Sequence, residues 1–361
     1  MTPVLSTFAL LLLSAGPDRQ TLWTAGEGGY STYRIPVVCV DPSGTVLAFC
    51  EARKNSAADQ GDIDLVLRRS EDGGRTWEPS RVIFEEGGDT PITIGNPCPI
   101  PDPEAGVTHL LFCQDNLRAF YTRTDDGGRT WAPRREITAA FGQFDYDVVR
   151  VATGPVHGLK ASSGRLVAPV WMSNRSLEEK EVESTLDRMR SGTLISDDGG
   201  RTWRAGGLVP ATVNRLNECT VAELTGGRLL LNCRGHSTGF RAHSVSDDGG
   251  ESWTAPALMT QLPDTTCQGS ILRIPEGPLL LSNIPTPLDV GNFSKRRRGL
   301  TLKVSTDEGR TWQTHSEIEP GPSAYSDLAL VDGKLLCISE CGEKVYRERI
   351  DVTLLQIPES P

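Results

Sequence analysis

Five copies of one eight-residue pattern constrain this chain more than any other feature. Ser70-Glu71-Asp72-Gly73-Gly74-Arg75-Thr76-Trp77 recurs as Thr124–Trp131, Ser196–Trp203, Ser246–Trp253 and Ser305–Trp312, so five of the seven tryptophans occupy one slot. Each copy reads as a hairpin turn. Asp-Gly-Gly supplies positions with φ > 0, the Asp side chain can bond back to turn amides, and Thr or Ser followed by Trp resumes a strand. The tryptophans are expected to pack between adjacent units.

Successive copies begin 54, 72, 50 and 59 residues apart, a period that suits one four-stranded propeller blade with its loops. Apolar runs such as Thr45–Phe49, Arg165–Ala168 and Arg228–Leu231 fit strands of such blades. Five turns mark five blades. A sixth can be assembled from Asp327–Leu330 through Ile350–Leu355, closed by an N-terminal strand near Leu22 and Trp23. The expected fold is all-β, a six-bladed β-propeller, in which closure of the ring removes exposed sheet edges.

Composition agrees. The 361 residues include 37 Gly and 24 Pro, which disfavours a helical bundle, and the length exceeds the ~250–300 residues at which one ordinary core stops growing. The formal charge of −10 argues against nucleic acid as a partner, since phosphate binding needs a basic face. The apolar run Phe8–Leu13 is too short for the ~20 residues of a membrane helix, and no transmembrane segment is expected. It has the length of a signal-peptide core followed by Ser14-Ala15-Gly16, although no Lys or Arg precedes it and Pro17 follows. Residues 1–18 are therefore read as a signal peptide or N-terminal tail, and 19–361 as the propeller domain. Export to a secreted or extracytoplasmic location is the expectation, a cytoplasmic one the alternative. Nine cysteines, most in apolar strand-like surroundings, do not require a disulfide framework. Residues 177–190 are strong helix formers and read as a surface helix or lid, more a solvated decoration than a substrate contact.

The repeat is the Asp box, and five copies on a chain of this length resemble the exo-α-sialidase (neuraminidase) family of six-bladed propellers. The box itself is a structural turn away from the cleft, so chemistry must come from other residues. Those match in order along nearly the whole chain. Tyr33-Arg34-Ile35-Pro36 is similar to the family's first arginine motif. Phe49-Cys50-Glu51-Ala52-Arg53-Lys54 followed by Asp59 resembles its second arginine and acid, with Asp62 and Asp64 as competitors for that acid. Asn217-Glu218-Cys219 with Arg234 matches the glutamate and the second arginine of the triad. Arg297, within Lys295-Arg296-Arg297-Arg298, resembles the third, chosen over its neighbours by its spacing to Leu300. Ser323-Ala324-Tyr325-Ser326-Asp327-Leu328 is similar to the nucleophile segment.

The resemblance implies hydrolysis of terminal α-linked sialic acid from oligosaccharides, glycoproteins or gangliosides, with retention of configuration. Tyr325 would be the nucleophile, Glu218 its base and Asp59 the acid. Arg34, Arg234 and Arg297 would clamp the substrate carboxylate, and Arg53 would contact ring hydroxyls or orient Asp59. The residue types suit these roles on chemical grounds. Guanidinium forks match a carboxylate bidentately, and a phenol avoids the repulsion that a carboxylate nucleophile would meet from the carboxylate on the anomeric carbon. A phenol of reference pKa ~10 is ionised to about one part in a thousand at neutral pH, a deficit of ~4 kcal/mol that an adjacent glutamate base can offset. Asp59 must hold its proton near neutrality, so burial or substrate binding is expected to raise its pKa.

A hairpin with its turn at Thr225-Gly226-Gly227 would make Glu218 and Arg234 a directly opposed pair on one face, with Cys219 and Cys233 paired on the other. An ordinary cross-strand ion pair gives the same pattern. Trp171 could line the pocket or belong to the core. Gly235-His236-Ser237-Thr238-Gly239 fits a serine-nucleophile elbow, but a strand-like segment rather than a helix follows it. The five histidines have no metal-site spacing and no Cys-x-x-Cys occurs, so no metal or organic cofactor is implied. Two other readings remain: a non-catalytic Asp-box propeller that binds glycans or proteins, and a variant that transfers sialic acid or acts on its deaminated form.

Overall fold

Each repeated turn joins two successive antiparallel strands of a sheet, and its aspartate closes it. In the second copy, Asp126 accepts the amide of Thr130 at 2.9 and 3.0 Å, the Thr130 hydroxyl at 2.6 Å and the Thr124 hydroxyl at 2.8 Å. The box glycines press on the neighbouring sheet. Gly200 has φ 79°, and a Cβ there would lie 2.4 Å from the Tyr121 hydroxyl, so only glycine fits both the turn and the contact.

The structure, a computed structural model, describes residues 18–88, 90–174, 188–236, 238–286 and 293–358. Its named strands pair antiparallel, mostly with their neighbours in chain order, and between them lie irregular segments, the 3-10 turns Thr138–Gln143 and Thr225–Gly227 and the four-residue helix Phe293–Arg296. The first blade comprises Thr32–Val40, Val46–Arg53, Ile63–Ser70 and Arg81–Phe84, and the second Ile94–Asp102, Val107–Gln114, Arg118–Thr124 and Arg135–Glu136. The third has five strands, Arg150–Thr153, Leu159–Lys160, Leu166–Ser173, Met189–Ser196 and Arg204–Leu208; the fourth has Leu216–Glu223, Leu229–Gly235, Phe240–Ser246 and Ala257–Pro263.

The fold is all-β, as expected, but the count of six blades is corrected. Four sheets are separate blades, and the rest of the propeller is one seven-stranded sheet. It runs from Ser270–Arg273 through Leu279–Asn283, Arg298–Ser305, Gln313–Val331, Lys334–Cys341 and Arg349–Gln356 to Asp18–Thr24. The physical reason is the 19-residue strand Gln313–Val331, whose first half pairs with Arg298–Ser305 and whose second half pairs with Lys334–Cys341. No break in the chain separates the two halves into independent sheets. The N-terminal strand does close the far edge, pairing with Arg349–Gln356.

Apolar layers fill the spaces between successive sheets, and the five box tryptophans are distributed among them, Trp77, Trp131, Trp203, Trp253 and Trp312 each sitting in or against a different layer. This is the burial that holds a propeller together. All nine cysteines are free and buried. The N-terminal apolar run and most of the helix expected over 177–190 lie outside the described residues; Met189 and Arg190 at its end open a strand instead.

Partial burial pushes the Asp126 carboxyl up, but the hydrogen bonds from Thr130 and Thr124 outweigh it and hold the pKa at about 2. A depressed folded-state pKa gives stability that is complete above the unfolded value of ~3.9 and is lost as pH falls through the folded one. Asp126→Asn is therefore expected to lower the urea midpoint at pH 7, by about 1 kcal/mol of stability, and the gap from wild type should close as the pH approaches 2. A gap of the same size at both pH values would show that the turn does not use the charge.

Candidate active site

The first strands of successive sheets meet around a cavity of about 430 Å³. A regular strand would point only alternate side chains at it and keep a flat edge. Four of these inner segments break their register by one residue at the cavity. The shifts fall between Arg34 and Val37, Gly95 and Cys98, Asn217 and Cys219, and Ser323 and Ser326. Such bulges re-aim side chains and bend the strand. The residues they liberate include Ile35, Asn96, Glu218 and Tyr325, all lining the cavity. Ile35 and Asn96 have φ of 58° and 54°, and for a β-branched residue such as Ile35 this is a strained conformation worth ~1–3 kcal/mol. Pro36 and Pro97 follow them, tolerated because a bulge needs no ladder N–H there.

Tyr325 stands at the centre. Its hydroxyl donates to Glu218 Oε1 at 2.6 Å and accepts from Arg234 Nη1 at 2.9 Å. Arg234 Nη1 is also 2.5 Å from Glu218 Oε2, and its Nε donates to Asn217 Oδ1 at 2.8 Å. The guanidinium carbons of Arg34 and Arg297 each lie 5.3 Å from the centre of the Tyr325 ring and 5.5 and 5.3 Å from that of Tyr346. Tyr325, Glu218 and the three arginines are only 5–8 % exposed. Burial, reinforced by the Glu218 carboxylate, pushes the Tyr325 phenol well above its ordinary pKa, and Arg234 and Arg297 offset only part of that.

Buried cations need partners. Arg34 donates from Nε to Glu340 Oε1 at 2.7 Å, and the same oxygen accepts the amide of Ile35 at 3.0 Å. Burial works against the charge on Arg34, but Glu340 and Asp59 more than compensate. Arg53 donates to Glu51 Oε2 from Nε and Nη2 at 3.2 and 2.6 Å. Glu51 in turn accepts the Asn96 amide at 3.0 Å, which it reaches only because residue 95 is glycine: a Cβ there would lie 2.1 Å from Glu51 Oε1. Arg297 Nη2 donates to the Thr266 carbonyl at 3.0 Å.

Asp59 differs from the rest. Its side chain is 83 % exposed, on a loop, with Oδ1 2.7 Å from Arg53 Nη1 and 3.5 Å from Arg34 Nη1. Desolvation pushes the carboxyl up, but Arg53 and then Arg34 override it and hold it below the usual range. This corrects the expectation that burial raises its pKa: Asp59 is an exposed anion held by two cations, and the alternative, that substrate binding raises it, is a matter of the reaction.

The structure thus brings Arg34, Arg53, Asp59, Glu218, Arg234, Arg297 and Tyr325 to one cavity. Of the three arginines at 296–298, only Arg297 lines it, and Asp62 and Asp64 turn instead to Lys54 at 2.9 and 3.3 Å. The expected register of Glu218 is corrected as well. Cys219 and Cys233 pair as predicted, but the residue opposite Arg234 is Asn217, because Glu218 is the extra residue of a bulge. Trp171 is half-buried and lines the cavity, 5.9 Å from Arg150. Sequence reasoning missed Glu340, Asn217 and Tyr346. Two of them left a trace: Asn217 opens the matched segment Asn217-Glu218-Cys219, and Glu340 is an acid within the apolar run Leu335–Cys341.

The BNR repeat-like domain matches residues 44–337. Sialidase-3 of Mus musculus is 31 % identical, with 92 % of this chain aligned to 93 % of that protein. The sialidase of Micromonospora viridifaciens is also 31 % identical over 90 % of this chain, which spans 52 % of that enzyme's length. Among solved structures, the Hadza microbial sialidase superposes with a TM-score of 0.79 at 26 % identity, covering 92 % of this chain and 67 % of its own. The Trypanosoma rangeli sialidase in complex with sialic acid shares the fold, with a TM-score of 0.77 at 19 % identity over 95 % of this chain and 59 % of its own. With the repeat-domain match spanning most of its length and a relative aligned over nearly all of both chains, this chain belongs to the sialidase family of glycoside hydrolases.

Proposed function

We propose that this cavity hydrolyses terminal α-linked sialic acid from glycoconjugates with retention of configuration, Tyr325 serving as nucleophile. The observation that supports it best is the 2.6 Å hydrogen bond from the Tyr325 hydroxyl to Glu218 in a pocket ringed by Arg34, Arg234 and Arg297. A neutral phenol can approach an anomeric carbon that bears a carboxylate, where an anionic nucleophile would be repelled. The raised pKa of Tyr325 makes the base indispensable. As the oxygen attacks, its proton passes to Glu218, and charge developing on the phenolate meets Arg234 2.9 Å away. The substrate carboxylate lies against Arg34, Arg234 and Arg297.

The C–O bond to the aglycone breaks as Asp59 donates its proton to the departing oxygen. The resulting sugar–tyrosine bond is then cleaved by water, with Asp59 as base, and Glu218 returns the proton to Tyr325. For Asp59 to begin as an acid, its environment must change on binding. The incoming carboxylate takes over the charge of Arg34, and the aglycone covers a side chain that is open in the free protein; both changes raise its pKa. Arg53 keeps the carboxyl in place. The names of the relatives favour sialylated glycans as substrates; catalysis is preferred over non-catalytic binding because the cavity joins a nucleophile, its base and an exposed acid at one opening.

Incubation with a 2,3-difluoro sialic acid derivative should label Tyr325, read by peptide mass spectrometry, and Tyr325→Phe should retain under about 1 % of wild-type turnover of a fluorogenic sialoside. Label on another residue, or an active Phe variant, would overturn the mechanism; an inactive wild type would favour the binding module. Asp59→Asn should cost ~10²–10⁴-fold on an alkyl-linked sialoside and far less on an aryl sialoside, whose leaving group needs little protonation. Equal losses on both would remove Asp59 as the acid. Because kcat/KM reports the free enzyme, where the Asp59 pKa is depressed, its descending alkaline limb should lie at lower pH than that of kcat, which reports the complex. Coincident limbs would contradict the exchange at Arg34.

A further inference from the structure

A bulge places Tyr325 in the cavity but also frees it from the ladder that would hold it there. The segment pairs with its neighbour at Ser323 and again at Ser326, leaving Ala324 and Tyr325 opposite the single residue Glu340. Something other than the sheet has to fix the direction of the phenol, because its oxygen must meet a glutamate contributed by a different blade.

Two buried side chains supply that constraint immediately after Tyr325. The Gln268 side-chain amide takes the place of a missing strand. Its Oε1 accepts the Ser326 amide at 3.0 Å, and its Nε2 donates to the Ser326 carbonyl at 3.0 Å. Next in the chain, the fully buried carboxylate of Asp327 joins four segments of backbone. Its Oδ1 accepts from His157 Nδ1 and from Ser270 Oγ, both at 2.7 Å, and from the Leu328 amide at 2.9 Å. Its Oδ2 accepts the amides of Val38 at 3.0 Å and His157 at 3.3 Å. Val38 belongs to the first strand of the first blade and Ser270 opens the seven-stranded sheet, while His157 lies just before the short strand Leu159–Lys160.

A buried carboxylate with five hydrogen bonds and a histidine partner has one low-energy position. The backbone attached to it has little freedom.

We propose that Gln268 and Asp327 are positioning residues for the nucleophile, holding the bulged segment so that the Tyr325 oxygen faces Glu218; this rests on the reading of Tyr325 as nucleophile. Neither residue lines the cavity, so they act on the reaction through Tyr325 and leave the arginines that would bind the substrate carboxylate untouched. A misplacement of ~1 Å in a reacting atom costs about 100-fold in rate.

The test compares Gln268→Met and Asp327→Asn with wild type in three measurements: kcat on a fluorogenic sialoside, the rate of covalent labelling by difluoro sialic acid, and the Kd of the unreactive 2,3-dehydro analogue. In variants that retain the near-UV circular dichroism of wild type, kcat and the labelling rate should fall together by about 100-fold, with the analogue's Kd within about threefold. A kcat near that of wild type overturns the proposal, as does a Kd that weakens in proportion to kcat, since either describes a structural prop with no hold on the nucleophile. Should both variants fail to fold, Ser270→Ala decides, because it removes one bond to the carboxylate and keeps the charge pair: a lower kcat at constant Kd supports the assignment and an unchanged kcat overturns it. A wild type that is inactive on sialosides would instead sink the functional reading.

Discussion

The constraint on which this site depends is the antiparallel ladder itself, and the four places where it is broken by one residue. A propeller brings the first strands of its sheets together, but an unbroken pleat aims side chains up and down in strict alternation. Shifts at Arg34, Asn96, Glu218 and Tyr325 release residues from that alternation at one end of the strands. Each also leaves backbone groups without ladder partners, and buried polar groups must find others. Glu340 serves the Ile35 amide, Glu51 the Asn96 amide, and Gln268 the Ser326 peptide. The side chains that satisfy the broken ladder are thus the same ones that orient the cavity's cations or the segment carrying the phenol.

Charge pairing then decides which of the cavity's cations can receive a ligand. Arg53 is committed to Glu51 and Asp59, whereas Arg234 is fixed through Nε and Nη1 by Asn217, Glu218 and the Tyr325 oxygen, and none of these bonds uses its Nη2. Arg34 spends its Nε on Glu340, which leaves its terminal nitrogens toward the cavity and the exposed carboxylate of Asp59. On a chain of net charge −10, this collects positive charge where an anionic sugar would enter and holds it in place by buried acids. The depressed pKa of Asp59 follows from the same arrangement, since Arg53 and then Arg34 attract its carboxylate at the cavity.

Much of this was legible before any coordinates. The repeated turn disclosed an all-β, sheet-by-sheet architecture, because Asp-Gly-Gly closes a hairpin through local hydrogen bonds that depend on neighbours in sequence. The ordered motifs identified the residues that gather at the cavity. Reasoning failed where the outcome turned on register. Glu218 was expected opposite Arg234, but one extra residue moved it into a bulge, and no side chain in Asn217-Glu218-Cys219 announces that. The blade count failed for a related reason: whether Gln313–Val331 is one strand or two depends on how it pairs on both sides.

By itself, then, the sequence determined the turns, the alternation that makes strands, and the residue types able to bind a carboxylate and attack a sugar, since these rest on contacts a few residues apart. Only the tertiary structure decided that Glu218 leaves the ladder in a bulge, that Glu340 anchors Arg34, and that Asp59 rests as an anion between two guanidinium groups. Those outcomes depend on burial and on electrostatic partners brought together by the fold, as far apart in sequence as Arg34 and Glu340, and neither the desolvation nor the pairing exists until the sheets have closed around them.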